Sequence, residues 1–254
     1  MTDKKIAILL DFDGPLFNND LVKKEICLRF NLTEEQWNTA YNHSKKGKLY
    51  VDYGNIFKEL AEITRISPNH DTEQDLWSMF YDSVLTSSNL KSPENQQALK
   101  ELLKLGRVEL ITQGHKEYQW LKLLRSETQN IIIQANENQL DGNPPHSIEV
   151  IPEDKIGFLK QRLEVLNKEE YEVIQIDDRV EPLIEVKKFA NESGITNLHQ
   201  IRIFTGKYTK DKSPEGCGWP DMPNLSSAVR HIEQTILNNR GIEGGHSMSD
   251  RMRR

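Results

Sequence analysis

The sequence predicts an α/β fold, a parallel sheet flanked by helices, with a small helical domain inserted after the first strand. Three observations predict it. Short apolar runs recur at 6–10, 108–112, 131–134, 173–176 and 201–204, each rich in Ile, Val or Leu and without strict alternation. Strands buried on both faces read this way. Helical patterns lie between most of these runs, and strand–helix alternation implies parallel pairing through right-handed crossovers, a Rossmann-like arrangement. The gap between the first two runs is far longer than one crossover needs, since a whole βαβ unit takes about 30 residues.

The elements follow in order. The run 6–10 is the first strand. The interval 18–90 lacks buried-strand runs and carries amphipathic helical patterns at 21–30, 34–41, 56–63 and 76–85, broken at 44–48 and 67–72. It reads as a helical insertion. A helix then starts with Ser92 as N-cap and Pro93 at its first position, keeps Leu99, Leu102 and Leu103 at helical spacing, and ends at Gly106. Further helices are expected over 115–126, 154–167, 181–193 (closed by Gly194) and 225–238. The predicted core therefore comprises 1–17 and 91–240, the insertion 18–90. Residues 241–254, with three glycines and three arginines, read as a mobile tail.

Composition narrows the function classes. The 254 residues carry a net charge of −6, which argues against a general nucleic-acid binder. No apolar run approaches the ~20 residues that span a bilayer, and the first residues are too acidic and their apolar run too short for a secretory signal. Two cysteines, Cys27 and Cys217, make no disulfide framework. A soluble, reducing, cytoplasmic setting is expected.

Ligands in open parallel sheets bind beyond the carboxyl ends of the strands. After the first strand stand Asp11, Phe12, Asp13 and Gly14. Alternation puts both aspartates on one side of an extended chain, where they repel unless a cation or shared proton is present. Mg²⁺ with oxygen ligands suits them, one Asp serving as nucleophile and the other as proton donor. A plain Asp-Gly turn reads equally well from these residues alone. After the second strand, Thr112, Gln113 and Gly114 offer a hydroxyl and backbone N–H groups to a phosphate oxygen, or an ordinary helix cap. Lys155, at the start of a later helix, could neutralise a phosphate and a nearby Asp. By itself it reads as a surface lysine. Asp177 and Asp178 end the fourth run. Adjacent side chains diverge there, so one points at a bound ion and the other supports it.

In this order, Asp-Phe-Asp-Gly, Thr, Lys and Asp-Asp resemble the four motifs of the haloacid dehalogenase-like hydrolase superfamily. Residues 111–114, with Gln119 and Lys122 after them, also resemble its phosphatase branch with a helical cap between the first and second motifs. The resemblance implies that Asp11 attacks phosphorus and forms an aspartyl phosphate, while Asp13 protonates the leaving oxygen. It implies that Thr112, the Gln113 backbone N–H and Lys155 hold the phosphoryl group. Asp178, Asp11 and the Asp13 carbonyl would bind Mg²⁺, with Asp177 as support or alternative ligand. The implied activity is hydrolysis of a small phosphomonoester, a phosphorylated metabolite or nucleotide. A phosphomutase or a catalytically idle binding protein is the alternative. A dehalogenase is disfavoured, because a departing halide needs no proton from Asp13. Pro15 and Pro182 depart from the family pattern. Pro182 stands where an acid is common, and Glu181 could replace that acid if the frame shifts.

Other features read as structure first. Trp37, Tyr41, Tyr53 and Phe57 have helical spacing and read as core of the insertion. Lys45, Lys46 and Lys48 read as a solvated face. His115 starts a helix, and Cys27 lies on an apolar stripe. Cys217 sits in a loop. Neither substrate identity nor oligomeric state is encoded in any motif.

Overall fold

A computed structural model describes residues 5–29, 31–44, 92–139, 145–204 and 213–237, with helical positions at 56, 58–60 and 62. Six strands form one sheet: β1 (Ile6–Asp11), β2 (Arg107–Gln113), β3 (Ser147–Ile151), β4 (Glu172–Asp177), β5 (Leu198–Ile203) and the two-residue β6 (Asp221–Met222). All neighbours pair in parallel, in the order β3-β2-β1-β4-β5-β6. The order reverses at β1, and the crevice outside the carboxyl ends of β1 and β4 is the topological switch point.

The helices are α1 (Asn19–Arg29), α2 (Glu34–Ser44), α3 (Pro93–Leu105), α4 (Lys116–Arg125), α5 (Thr128–Glu137), α6 (Lys155–Lys168), α7 (Val180–Glu192) and α8 (Leu225–His231). Strand alternation sorts them into two layers. Ile6, Ile8 and Leu10 of β1 pack in one core with Leu99 and Leu102 of α3, Ile131 and Ile132 of α5, and Leu225 and Val229 of α8. Ala7 and Leu9 face the other way, onto Leu159, Leu163 and Leu166 of α6 and Val186 and Ala190 of α7. Ser92 caps α3, accepting from the Asn95 N–H at 3.2 Å with Pro93 in the first turn, as its sequence predicts.

The α/β class and the parallel sheet are as expected, with three corrections. The run 131–134 is helical and lies within α5. Ile131 and Ile132 are buried while Ile133 is 44% exposed, a helical phase that a four-residue run does not reveal. The strand beside β2 is instead β3. It is a half-buried edge strand whose Ser147 and Glu149 interrupt its apolar residues. The predicted helix 225–238 is α-helical through His231 and continues as a π-helix over Ile232–Leu237.

Within the predicted insertion, α1 and α2 are helical, with Trp37 buried and Tyr41 packed against the core. Tyr53, Phe57, Lys45, Lys46, Lys48, the helical pattern 76–85 and the tail 241–254 lie outside the described residues. Among the described residues, no helix is long and apolar enough to cross a membrane.

Candidate active site

Asp11 is the last residue of β1, and Asp177 the last of β4, the adjacent strand. Asp11 shares the phase of Ala7 and Leu9, and Asp177 that of Val173. Both phases face α6 and α7. Lys155 opens α6, behind an N-cap at Asp154 whose carboxylate accepts from the Gly157 N–H at 2.7 Å. That placement sets Lys155 Nζ 2.9 Å from Asp11 Oδ2 and 2.8 Å from Asp177 Oδ2. All three side chains are buried. Burial alone would lower the lysine. The charges of Asp11 and Asp177 outweigh it and hold the ammonium above the ordinary lysine range. Burial pushes Asp11 up to about 7, with Asp177 and Asp13 adding to the rise against Lys155.

Asp178 turns the opposite way from its neighbour. Its carboxylate lies over Gly14, where a Cβ would stand 2.2 Å from Oδ2. Gly14 also has a φ of +100°, so the turn after β1 needs a glycine twice over. Both oxygens of Asp177 are engaged, one by Lys155 and one by the Arg179 N–H at 2.9 Å. Asp178 Oδ1 is buried and has no hydrogen-bond partner. Burial, then the charges of Asp11 and Asp177, push Asp178 up to about 9. Arg202 of β5, itself buried, donates to the Asp178 carbonyl at 3.2 Å.

Asp11, Asp177 and Asp178 each offer an oxygen, all within 4.8 Å of one another. Three close carboxylates and a stranded buried oxygen fit a hard divalent cation. The set is all oxygen, which suits Mg²⁺. Asp178 has the uncommitted atom, so it and Asp11 are the side chains suited to direct ligation. Glu181 is not among them. It is exposed and pairs with Arg179 at 2.5 Å.

Asp13 is held by a separate set. Its Oδ1 takes hydrogens from Lys122 Nζ and from Asn19 Nδ2 at 3.0 Å. Its Oδ2 takes them from Gln119 Nε2 at 3.1 Å and Thr112 Oγ1 at 3.2 Å. Burial would raise this carboxyl, but the Lys122 charge and the hydrogen bonds of Lys122, Asn19 and Gln119 bring it below the ordinary value. Thr112 has the opposite strand phase to Ile111 and faces the α4 side, where Asp13 is. Gln113 ends β2. Its carbonyl accepts from Gln119 at 2.8 Å, and its side chain donates to the Glu153 carbonyl. The Gly114 N–H donates to Ile151 of β3 at 3.1 Å.

The fold thus gathers Asp11, Asp13, Thr112, Lys155, Asp177 and Asp178 at one end of the sheet. Sequence reasoning gave no role to Lys122, Gln119 or Asn19. A signal was present: Lys122 falls four residues after Tyr118 on a stripe that reaches Leu123. A lysine on a buried stripe requires an anionic partner. His115 precedes α4 at the N-cap without a side-chain capping bond. Cys27 is partly buried against the core, and Cys217 Sγ lies 3.6 Å from the Trp219 carbonyl.

No protein-family model and no curated protein is similar enough in sequence to match. Solved structures are similar. A haloacid dehalogenase-like hydrolase candidate from Burkholderia xenovorans LB400 superposes with a TM-score of 0.63 at 17% identity, covering 91% of this chain and 98% of that one. A HAD-hydrolase candidate from Bacillus subtilis, bound to magnesium, gives 0.58 at 12% identity over 91% and 100%. An L-2-haloacid dehalogenase from Xanthobacter autotrophicus, with chloropropionic acid covalently bound, gives 0.52 at 12% identity over 91% and 99%. The likeness spans nearly the whole chain. It shows that the fold is that of the haloacid dehalogenase-like hydrolases.

Proposed function

We propose that this chain, folded as the haloacid dehalogenase-like hydrolases are, is a Mg²⁺-dependent phosphatase acting on a small phosphomonoester, a phosphorylated metabolite or nucleotide. The observation that carries the reading is the division of the carboxylates. Asp11 sits with Lys155 and the Asp177–Asp178 pair, while Asp13 has its own cage of donors.

In this reading Asp11 is the nucleophile. Carboxylate attack on a phosphate dianion is opposed by repulsion, about 4 kcal/mol per unit charge pair at 4 Å for an effective dielectric of 20. Lys155 offsets part of it and holds one Asp11 oxygen, leaving the other to attack. Mg²⁺ on Asp11, Asp178 and the Asp13 carbonyl would supply the remaining positive charge. Thr112 and the Gln113 N–H would take up phosphoryl oxygens, the Thr112 hydroxyl leaving Asp13 to do so. Asp13 protonates the leaving alkoxide, then takes a proton from the water that hydrolyses the aspartyl phosphate. One acid/base thereby serves two displacements. Asp13 is also what disfavours a dehalogenase, whose halide leaves without a proton.

The test is a panel of phosphorylated metabolites and nucleotides, with and without Mg²⁺. Phosphate release is expected to require Mg²⁺ and to vanish in Asp11→Asn. Release that survives that substitution, or excess chelator, would sink the mechanism. Isomer formation without free phosphate would make the chain a phosphomutase. Calorimetry showing no Mg²⁺ or phosphate binding would favour a catalytically idle binding protein.

A further inference from the structure

We propose that Lys122 is a positioning residue, whose buried ammonium fixes the Asp13 carboxyl group in the orientation from which it exchanges a proton with the reacting oxygens. The inference rests on the reading of Asp13 as acid/base. Its observations are separate from the acidic cluster around Asp11.

The Lys122 side chain is 1% exposed, and its Nζ bonds Asp13 Oδ1. The Asn19 side-chain oxygen accepts from the same nitrogen at 3.4 Å. Three rings enclose the ammonium: Tyr118 at 4.8 Å, Phe17 at 5.0 Å and Phe12 at 5.4 Å to the centroids. Phe12 and Phe17 bracket the turn that carries Asp13 and touch each other at 5.3 Å. Ring faces attract a cation but do not replace its lost hydration. An apolar side chain of the same volume would fill this pocket without desolvating a charge. The lysine therefore makes sense through what it holds.

What it holds is one oxygen of Asp13. Each oxygen of that carboxylate has two donors, Lys122 and Asn19 on Oδ1, Gln119 and Thr112 on Oδ2. Three of the four are neutral. Lys122 is the charged one, and it arrives from α4 while Asp13 stands on the turn after β1. The pair ties that turn to α4, in the same core as Phe12 and Phe17. An acid must be aimed at the departing oxygen, and a small misplacement costs rate rather than binding.

The test compares Lys122→Met with the parent on two substrates, p-nitrophenyl phosphate and the best alkyl phosphate of the panel. Nitrophenolate leaves without a proton and an alkoxide does not. The variant is expected to lose about 100-fold in kcat/KM on the alkyl ester, the lower end of what a general acid contributes. On the aryl ester it should lose less than about 5-fold in kcat/KM, which reports transfer to Asp11 and not the dephosphorylation that both substrates share. Equal losses on both substrates, or none, would overturn the proposal. Should Lys122→Met not fold, Lys122→Gln keeps one donor and is expected to show the same split at smaller size. Crystal structures of parent and variant give a readout independent of turnover. Asp13 is expected to leave its place in the variant, and an unmoved carboxylate overturns the inference. If the parent hydrolyses no phosphate ester, the phosphatase reading fails, and those two structures still decide whether Lys122 holds Asp13.

Discussion

The Asp178 carboxylate rests directly on the backbone of Gly14: a Cβ at that glycine would stand 2.2 Å from Asp178 Oδ2 and 2.3 Å from Cγ. The contact joins the turn after β1 to the end of β4. It brings the carboxylate with the stranded oxygen beside Asp11.

Gly14→Ala is therefore expected to displace Asp178 and weaken Mg²⁺ binding about 10- to 100-fold, the usual range for losing a group that orients a ligand. Calorimetry on the purified protein measures it. Unchanged affinity would show that Asp178 does not need its present position.

Asp178→Asn resembles the protonated form that burial and its acidic neighbours favour. In excess chelator at pH 7 this variant should melt a few degrees above the parent, since it folds without having to take up a proton. It should also lose the stabilisation that Mg²⁺ gives the parent. A lower melting temperature in chelator would contradict the crowding of these acids.

The pH dependence follows with a definite sign. In the folded chain Asp11 and Asp178 keep their protons to about 7 and about 9, against 3.8 ordinarily. Between those limits the folded state binds more protons than the unfolded one, so stability falls as pH rises. Asp13, lowered, acts oppositely: its contribution is lost as pH falls through its folded value, below 3.8. Thermal melts in chelator are expected to decline from about pH 5 to pH 9. Saturating Mg²⁺ should flatten that decline, its benefit growing with pH. A benefit that shrinks with pH would count against carboxylate ligation.

Glu109, buried in β2, is held by Arg162 of α6 through two bonds of 2.6 Å and by Arg107 at 2.9 Å. Arg162→Met should cost about 3 kcal/mol, the lower end for breaking a buried pair, because Arg107 remains. Urea denaturation measures this. Adding Glu109→Gln should recover part of the loss, and no recovery would show that Arg162 stabilises by packing alone.

Much of the sheet was legible because strands buried on both faces leave near-continuous apolar runs, as in β1 and, with Gln175 as the one interruption, β4. β3 was not, since an edge strand is half-solvated and Ser147 and Glu149 cost it little. The run around Ile131 misled because three apolar residues in a row have no measurable period. The site residues at strand ends were legible for a related reason: Asp11, Thr112 and the Asp177–Asp178 pair stand where an apolar run stops.

By itself the sequence determined the α/β class, the parallel sheet and which acids stand at its carboxyl edge. Order along the chain and local periodicity suffice for that. Tertiary structure alone decided how those acids are divided. Asp177 went to Lys155 and Asp178 to the space above Gly14, because adjacent side chains on a strand diverge and α6 covers only one side. It also turned Lys122, one lysine on one helix, into the partner of Asp13. Charges distant in sequence meet only when packing removes the water between them.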